Sequence, residues 1–295
     1  MHEDFARGEP HASIRLLPEV GQLRQRSSLR REAINLRLPS VRVVGEGGTF
    51  ELVIEPRHPV MDYNSEISLL TGMVAGNMMV EAGVGFLRTL GPATGEAEAE
   101  FRREASNLGY EVGGNIGEFL AGIDADTPRG MAMMREAQKL LRGAGYVDLS
   151  EKEPEVHAGI GGYYSHVTAP LRRLVDRYAT EVCLAICAGT EVPEWVREDA
   201  PRVMKTMGRT SQLANTVDKA CLNLTEATVL EPWVGHNFEG VTLTVNEEDR
   251  ARIFIADPPV LAPSVGAPGE GTETKFSLVL ADATQREVSF AWPAD

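Results

Sequence analysis

The sequence predicts an α+β protein: a largely helical body with one strand pair, followed by a small C-terminal β-barrel. Long apolar or amphipathic stretches at helical spacing occupy most of residues 65–225. Residues 41–54 instead alternate, and past Pro232 the chain breaks into short β-rich runs divided by Asn, Asp, Gly and Pro. The predicted division is therefore 1–232 and 233–295. With 295 residues and 43% hydrophobic content, the chain can fill one large core and a smaller appended one.

In order, Leu16, Leu17, Val20 and Leu23 predict a short amphipathic helix in a charged first segment. Val41, Val43, Phe50, Leu52 and Ile54 alternate around Gly45-Glu-Gly-Gly48, the chemistry of a hairpin turn. From Ser65 to about Arg88 the chain is apolar on nearly every side and rich in glycine, as a buried helix is where backbones approach closely. Its uninterrupted part, between Glu66 and Glu81, is shorter than the roughly 20 residues a bilayer requires. Glu66 near its start is either a capping carboxylate or a functional acid, and position alone favours the cap.

Helices are predicted over 96–107, 115–121 and 129–142, the first and last followed by glycines where C-caps sit. Residues His157 to Tyr163 are glycine-rich but lack phosphate-loop spacing, and read as a flexible lead-in to the next helix. That helix carries Leu171, Leu174, Val175, Tyr178 and Val182 on one side and Arg172, Arg173, Asp176 and Arg177 on the other. A pair of helices is expected over 192–225, with Pro193 and Pro201 near their starts. Strands follow at 241–245, 251–255, 275–280 and 287–292, with a long Pro/Gly-rich loop over 258–271.

The run from Tyr163 to Tyr178 carries the most chemistry. Arg172 and Arg173 fall where a helix is expected to begin, and positive charge there costs about 0.3–1 kcal/mol each unless an anion is near. Guanidinium forks beside free backbone N–H groups describe a phosphate site. The alternative is internal: Asp176, one turn on, answers both charges.

This run resembles the Tyr-x-His-x-Thr-Ser-Pro-Ile-Arg-Arg-Tyr-x-Asp signature of the RNB catalytic domain of ribonuclease II and ribonuclease R. Tyr164, His166, Thr168, Pro170, Arg172, Arg173 and Asp176 match it, while Ala169, Leu171 and Leu174 depart in side chain but not in register. Glu66-Ile-Ser-Leu-Leu-Thr-Gly72 resembles the family's Glu-Phe-Met-Ile-Leu-Ala-Asn, with Gly72 in place of Asn. Gly21 to Arg24 and Arg31 to Pro39 resemble the stretch leading into it.

The resemblance implies the C-terminal part of an RNB domain followed by an S1-type OB barrel. It also implies a magnesium-dependent 3′ to 5′ exoribonuclease that takes single-stranded RNA to nucleoside 5′-monophosphates. Arg172 would hold the scissile phosphate with Arg173 close behind. Glu66 would line the channel near the terminal nucleotide, with Tyr164, His166, Thr168 and Arg177 along the RNA; Tyr164 and His166 read equally as core groups. The family's four magnesium-binding aspartates have no counterpart here: no two aspartates are adjacent, and Asp124 and Asp126 read as turn or cap residues.

The net charge of -14 opposes RNA binding by the bulk surface and confines any RNA path to a local basic groove. Three cysteines, Cys183, Cys187 and Cys221, make no disulfide framework or thiolate metal site, which fits a reducing cytoplasm. The first residues carry no secretory pattern, and nothing indicates a membrane. Three functions remain: an exoribonuclease completed by an acidic cluster, a catalytically silent RNA-binding remnant, or a partner-binding protein whose arginines pair internally.

Overall fold

The computed structural model describes residues 2–38, 40–46, 49–55 and 57–293. A short helix α1 (His2–Ala6) precedes α2 (Leu17–Arg30), which is longer than the sequence pattern suggested. Strands β1 (Ser40–Glu46) and β2 (Thr49–Glu55) pair antiparallel, Val43 opposite Leu52; of the expected turn at 45–48, residues 45 and 46 belong to β1 and 47–48 lie outside the described residues.

Helix α3 (Pro59–Ala82) begins earlier and ends sooner than predicted. Pro59, at its first position, suits a helix start because its missing N–H would be unpaired there anyway. Glu66 consequently lies in the second turn or beyond, and is not a cap. Past Gly83 the chain turns into β3 (Phe86–Thr89), which pairs antiparallel with β4 (Gly145–Asp148), a strand the sequence pattern did not reveal.

Helices α4 (Gly95–Asn107), α5 (Ile116–Gly122) and α6 (Pro128–Ala137) each start on a side-chain cap, from Thr94, Asn115 and Thr127 respectively. Gln138–Leu141 continues α6 as a tighter 3-10 turn. Asp124 accepts the N–H of Asp126 at 3.0 Å, the turn geometry expected of a short acidic side chain.

Helix α7 (Leu174–Ala188) packs against α8 (Glu194–Leu230), with Tyr178 reaching Asp199 at 3.0 Å. The expected helix pair over 192–225 is one 37-residue helix with Pro201 inside it. Residues on α7 and the first half of α8 form one core with Met79 and Phe86. No helix among the described residues is long and apolar enough to cross a membrane.

Strands β5 (Asn237–Val245), β6 (Arg250–Ala256), β7 (Pro259–Val265), β8 (Glu273–Asp282) and β9 (Glu287–Ala291) close into a barrel ordered β5-β6-β7-β9-β8. The protein is thus mixed helix and sheet with an S1/OB-like barrel. Strand β7 falls in the stretch predicted as a loop. Its prolines hid it: Pro259 opens the strand, and the β9 pairing begins only at Ser264, beyond Pro263.

Strand alternation explains how the barrel is seated. Ala251, Ile253 and Ile255 fill its interior, while Phe254, Val241 and Leu243 point outward into the core that also holds Phe101, Leu120 and Met133. Arg252, on that outward face, meets Glu136 across the seam, and its guanidinium lies 4.0 Å from Glu104. Lys139 joins them, 2.6 Å from Glu104, 2.7 Å from Glu136 and 2.9 Å from Glu100. Three carboxyls face two cations, so the cluster is neutral when it holds one proton.

Glu104 carries that proton. Burial, then a hydrogen bond with Glu136, push its carboxyl up to about 7 against the pull of Lys139. An acid raised on folding contributes stability below its unfolded value of 4.5 and loses it as pH climbs through about 7. Glu104→Gln, which mimics the protonated form, is expected to unfold later than the parent at pH 8 by roughly 1–3 kcal/mol, with no gain at pH 4.5. Chemical denaturation at both pH values checks this; an equal effect at each would refute the proton assignment.

Candidate functional site

The arginine run does not open the helix as its pattern suggested. Arg172 and Arg173 both donate their backbone N–H to the Ala169 carbonyl, at 3.2 and 3.0 Å, closing a turn before α7 begins at Leu174. Arg173 is the residue that precedes the helix, with an extended φ of -126°. Pro170 therefore lies in this turn and not at the first helical position.

Asp176 organises the turn. Completely buried, its carboxylate accepts both Nε and a terminal N–H of Arg173, each at 2.8 Å, and the Ala169 N–H at 2.7 Å. Such a fork pairs charge and fixes geometry together. The internal alternative thus holds for Arg173 and fails for Arg172. Arg172 is exposed and has no side-chain partner among the described residues. Arg177, one turn into α7, is likewise exposed and unpaired.

The turn projects. Leu171 is 102% exposed and Leu174 45%, so neither belongs to the apolar stripe predicted for this helix, which is carried by Val175, Tyr178, Ala179 and Val182. The carboxylate of Asp176 pulls the chain inward at 169 and 173 and leaves 171 and 172 outside. Thr168 is also exposed.

Behind the turn lies a ladder of rings. His166 Nδ1 is 2.8 Å from the Tyr146 hydroxyl, and the ring contacts Tyr146 and Tyr164 edge-on at 5.7 and 5.5 Å. Tyr164 in turn meets His157 at 6.1 Å. Arg88 lies 4.7 Å over the Tyr146 ring, a cation–π contact between cross-strand partners. Burial and the nearby Arg173 and Arg88 drive His166 down to about 3, and burial with Arg88 drives His157 down to about 4. Both imidazoles are neutral near pH 7.

Tyr164 is only 8% exposed, and α3 is shaped to receive it. A Cβ on Gly72 would sit 2.2 Å from the Tyr164 ring and 2.7 Å from the Ser165 carbonyl, closer than any side chain tolerates. Gly72 also accepts the Ser165 N–H at 3.0 Å. Tyr164 and His166 are thereby core groups that fix the arginine turn against α3.

The stretch His157 to Tyr163 is packed, not flexible. Gly159 accepts the Ile34 N–H, and Gly161, at φ +70°, lies where a Cβ would be 2.1 Å from the Arg31 carbonyl. With α2 and α3 it encloses a cavity of ≈ 220 Å³ lined by Arg31, Asn35, Glu66 and His157 over apolar walls from Leu69 and Leu90. Glu66 is 2% exposed; its Oε2 is 3.8 Å from Arg24 Nε, and neither atom has a hydrogen-bond partner. Burial holds the Glu66 carboxyl above the usual range, against Arg24 and Arg31. His157 Nδ1 is unpaired as well.

The cavity therefore offers an unmet acceptor beside guanidinium donors, and the arginine turn offers an unmet cation. The sequence pattern assigns no site role to Arg24, Arg31, Arg88, Tyr146 or His157. The spacing of Arg24 and Arg31, two helical turns apart, was the available signal for one face of α2. Arg88 and Tyr146 meet only through β3 and β4, which are distant in sequence.

These residues do not suit a magnesium ion. Both Asp176 oxygens are taken by Arg173 and Ala169, and burial beside Arg24 and Arg31 raises the Glu66 carboxyl, whereas magnesium takes ionised carboxylate oxygens that are available as ligands. Among the described residues no group of three His, Cys, Asp or Glu side chains is arranged to hold a metal.

Residues 236–292 match the family model of the RNase II-type exonuclease C-terminal S1 domain. No curated protein sequence matches the chain. Among solved structures it resembles apo Mycoplasma genitalium RNase R, with a TM-score of 0.82 at 12% identity over 98% of this chain and 52% of that one. The same RNase R in complex with ribose-methylated single-stranded RNA gives 0.81 at 11% identity, with the same coverage. Yeast Ssd1, a pseudonuclease, gives 0.68 at 16% identity over 97% of this chain and 36% of that one. The chain spans about half the length of RNase R, and at such identities the likeness establishes the fold alone. The resemblance carried by the arginine run is thus joined by an RNase II-type S1 domain and an RNase R-type fold.

A base depressed on folding contributes stability above its unfolded value, near 6.5 for histidine, and loses it as pH falls toward about 3 to 4. His166→Gln is expected to destabilise the protein at pH 7.5 by about 1 kcal/mol, through the lost Tyr146 bond, and to flatten the fall in stability between pH 6.5 and 5. Urea unfolding across that range measures both. An unchanged slope would mean that His166 is not held neutral.

Proposed function

We propose that this chain supplies the RNA-holding part of an RNB-type 3′ to 5′ exoribonuclease, which degrades single-stranded RNA to nucleoside 5′-monophosphates. The observation that carries this reading is the division of labour between the two arginines. Asp176 neutralises Arg173 completely and leaves Arg172 exposed, on a projecting turn held rigid from behind.

A guanidinium so placed recognises a phosphodiester by two parallel N–H···O bonds, with the turn already ordered before RNA arrives. Arg173 acts indirectly, by fixing the turn. Glu66, in the cavity on the far side of Tyr164, accepts hydrogen bonds from the hydroxyls or amino groups of the terminal nucleotide. Tyr164 and His166 position the turn and do not stack on bases. Magnesium would supply the charge that activates water and steadies the leaving oxygen, but no group among the described residues is arranged to hold it and no hydrolytic step is assigned to them.

A second reading is RNA binding without hydrolysis. It is favoured by the structural likeness to a pseudonuclease. Both readings require Arg172.

Binding of a fluorescent single-stranded oligoribonucleotide tests that requirement. Arg172→Ala is expected to weaken binding about 10-fold, the effect of one charge-assisted pair, and to lower the salt slope by roughly 0.7. Arg173→Ala is expected to lower both affinity and stability, since it leaves Asp176 buried and unpaired. If Arg172→Ala binds RNA as tightly as the parent with the same salt slope, the proposal falls.

A further inference from the structure

A second polar cavity lies away from the arginine turn. Between the C-terminal part of α8 and the barrel runs a groove of ≈ 470 Å³, lined by Asn223 and Glu226 from α8, Arg250 from β6, Arg286 from the β8–β9 turn, and apolar side chains of β7, β8 and β9. This is the open end of the barrel face whose other end, at Arg252 and Phe254, is docked on the helices. OB-type barrels take oligonucleotides on the face of their second and third strands with the loop before the last strand. Here those are β6, β7 and the turn bearing Arg286.

Glu226 is the unusual member. It is 8% exposed, lines the groove and has no hydrogen-bond or ion-pair partner among the described residues. Arg135 offsets part of its burial without pairing, being held over the Phe254 ring at 5.4 Å. Its carboxylate oxygens keep contact with the groove, where a ligand bearing two adjacent N–H groups can meet both. Arg286 is exposed and unpaired, and Arg250 has only a loose 3.8 Å contact with exposed Glu248. Leu261, Pro263 and Val288 supply flat apolar contact between them.

We propose that this groove binds a guanine nucleotide. Glu226 accepts the adjacent ring N–H and exocyclic amino N–H of guanine, Leu261, Pro263 and Val288 cover the base, and Arg286 with Arg250 takes the phosphate. Adenine presents no such pair of donors on one edge and is refused. The nucleotide is either free or a guanylate within an RNA chain; only the latter rests on the RNA-binding reading above. Arg135 from α6, Arg250 from β6, and Arg286 and Glu287 beside β9 are the charges facing Glu226. Burial pushes its carboxyl up to about 7, so affinity for guanine rises with pH through that value as the carboxylate forms.

Calorimetric titration of the full chain with GMP, AMP and guanosine decides the matter. The expected result is GMP bound at least 10-fold more tightly than AMP, a preference abolished by Glu226→Gln. Arg286→Ala, at an exposed turn that cannot unfold the core, is expected to weaken GMP 5- to 10-fold and leave guanosine unchanged. Equal binding of GMP and AMP, no GMP binding below about 1 mM, or identical behaviour of parent and Arg286→Ala would each overturn the proposal.

Hexanucleotides with one guanine or with adenine in its place separate the two sources. A preference that needs Glu226 assigns the groove to RNA, while GMP selectivity without it assigns the groove to free nucleotide. Loss of hexanucleotide binding on Arg172→Ala reports on the arginine turn alone. Failure at one site is thereby distinguishable from failure at the other.

Discussion

The buried carboxylate of Asp176 sets the rest of the arginine turn. A fully desolvated charge persists only when its lone pairs are met, and here three donors meet them, two from Arg173 and one from the Ala169 backbone. Those bonds define the turn from 169 to 173 and delay the start of α7. They also decide which arginine is available. Two adjacent, chemically identical side chains acquire opposite roles because one carboxylate has the geometry for a single fork.

What supports the turn from behind is shape more than charge. Gly72 lets the backbone of α3 approach Ser165 and Tyr164 within hydrogen-bond distance, and the ring that fills the resulting space carries His166 and Tyr146 beyond it. The related family has asparagine where this chain has Gly72, and no Cβ fits at that position here. The close approach of α3 to the turn here depends on a residue without a side chain at 72. Keeping His157 and His166 neutral avoids adding positive charge beside Arg88 and Arg173, which a protonated ladder would do.

The sequence pattern disclosed the fold class, the closed barrel and most helices, because amphipathic spacing and strand alternation are local. The helices predicted over 96–107 and 115–121 are reproduced to a residue, as Gly95–Asn107 and Ile116–Gly122. What was not legible depended on partners distant in the chain. Strands β3 and β4 are four residues each; the first falls in the predicted tail of a helix and the second in a stretch the pattern left unassigned. Pro201 suggests a helix start from sequence alone, but it lies inside a long helix whose flanking turns are packed at Val196, Ala200 and Val203. In the site, the Arg173–Asp176 pair was visible as spacing, but the freedom of Arg172 was not, because it depends on the direction of one carboxylate.

The excess of 14 negative charges does not by itself argue against a polyanionic ligand. At physiological ionic strength charges further apart than about 8 Å scarcely feel one another, so the sign of the potential is decided locally. Several acids are withdrawn from the surface altogether: Glu66, Glu104, Glu136, Asp176 and Glu226 are buried, four of them against cations of the chain's own. Around Arg172 the nearest carboxylate in sequence is Asp176, and it is saturated by Arg173. A carboxylate removed in this way cannot repel a phosphate. The local balance at the turn is therefore positive even though the whole is acidic.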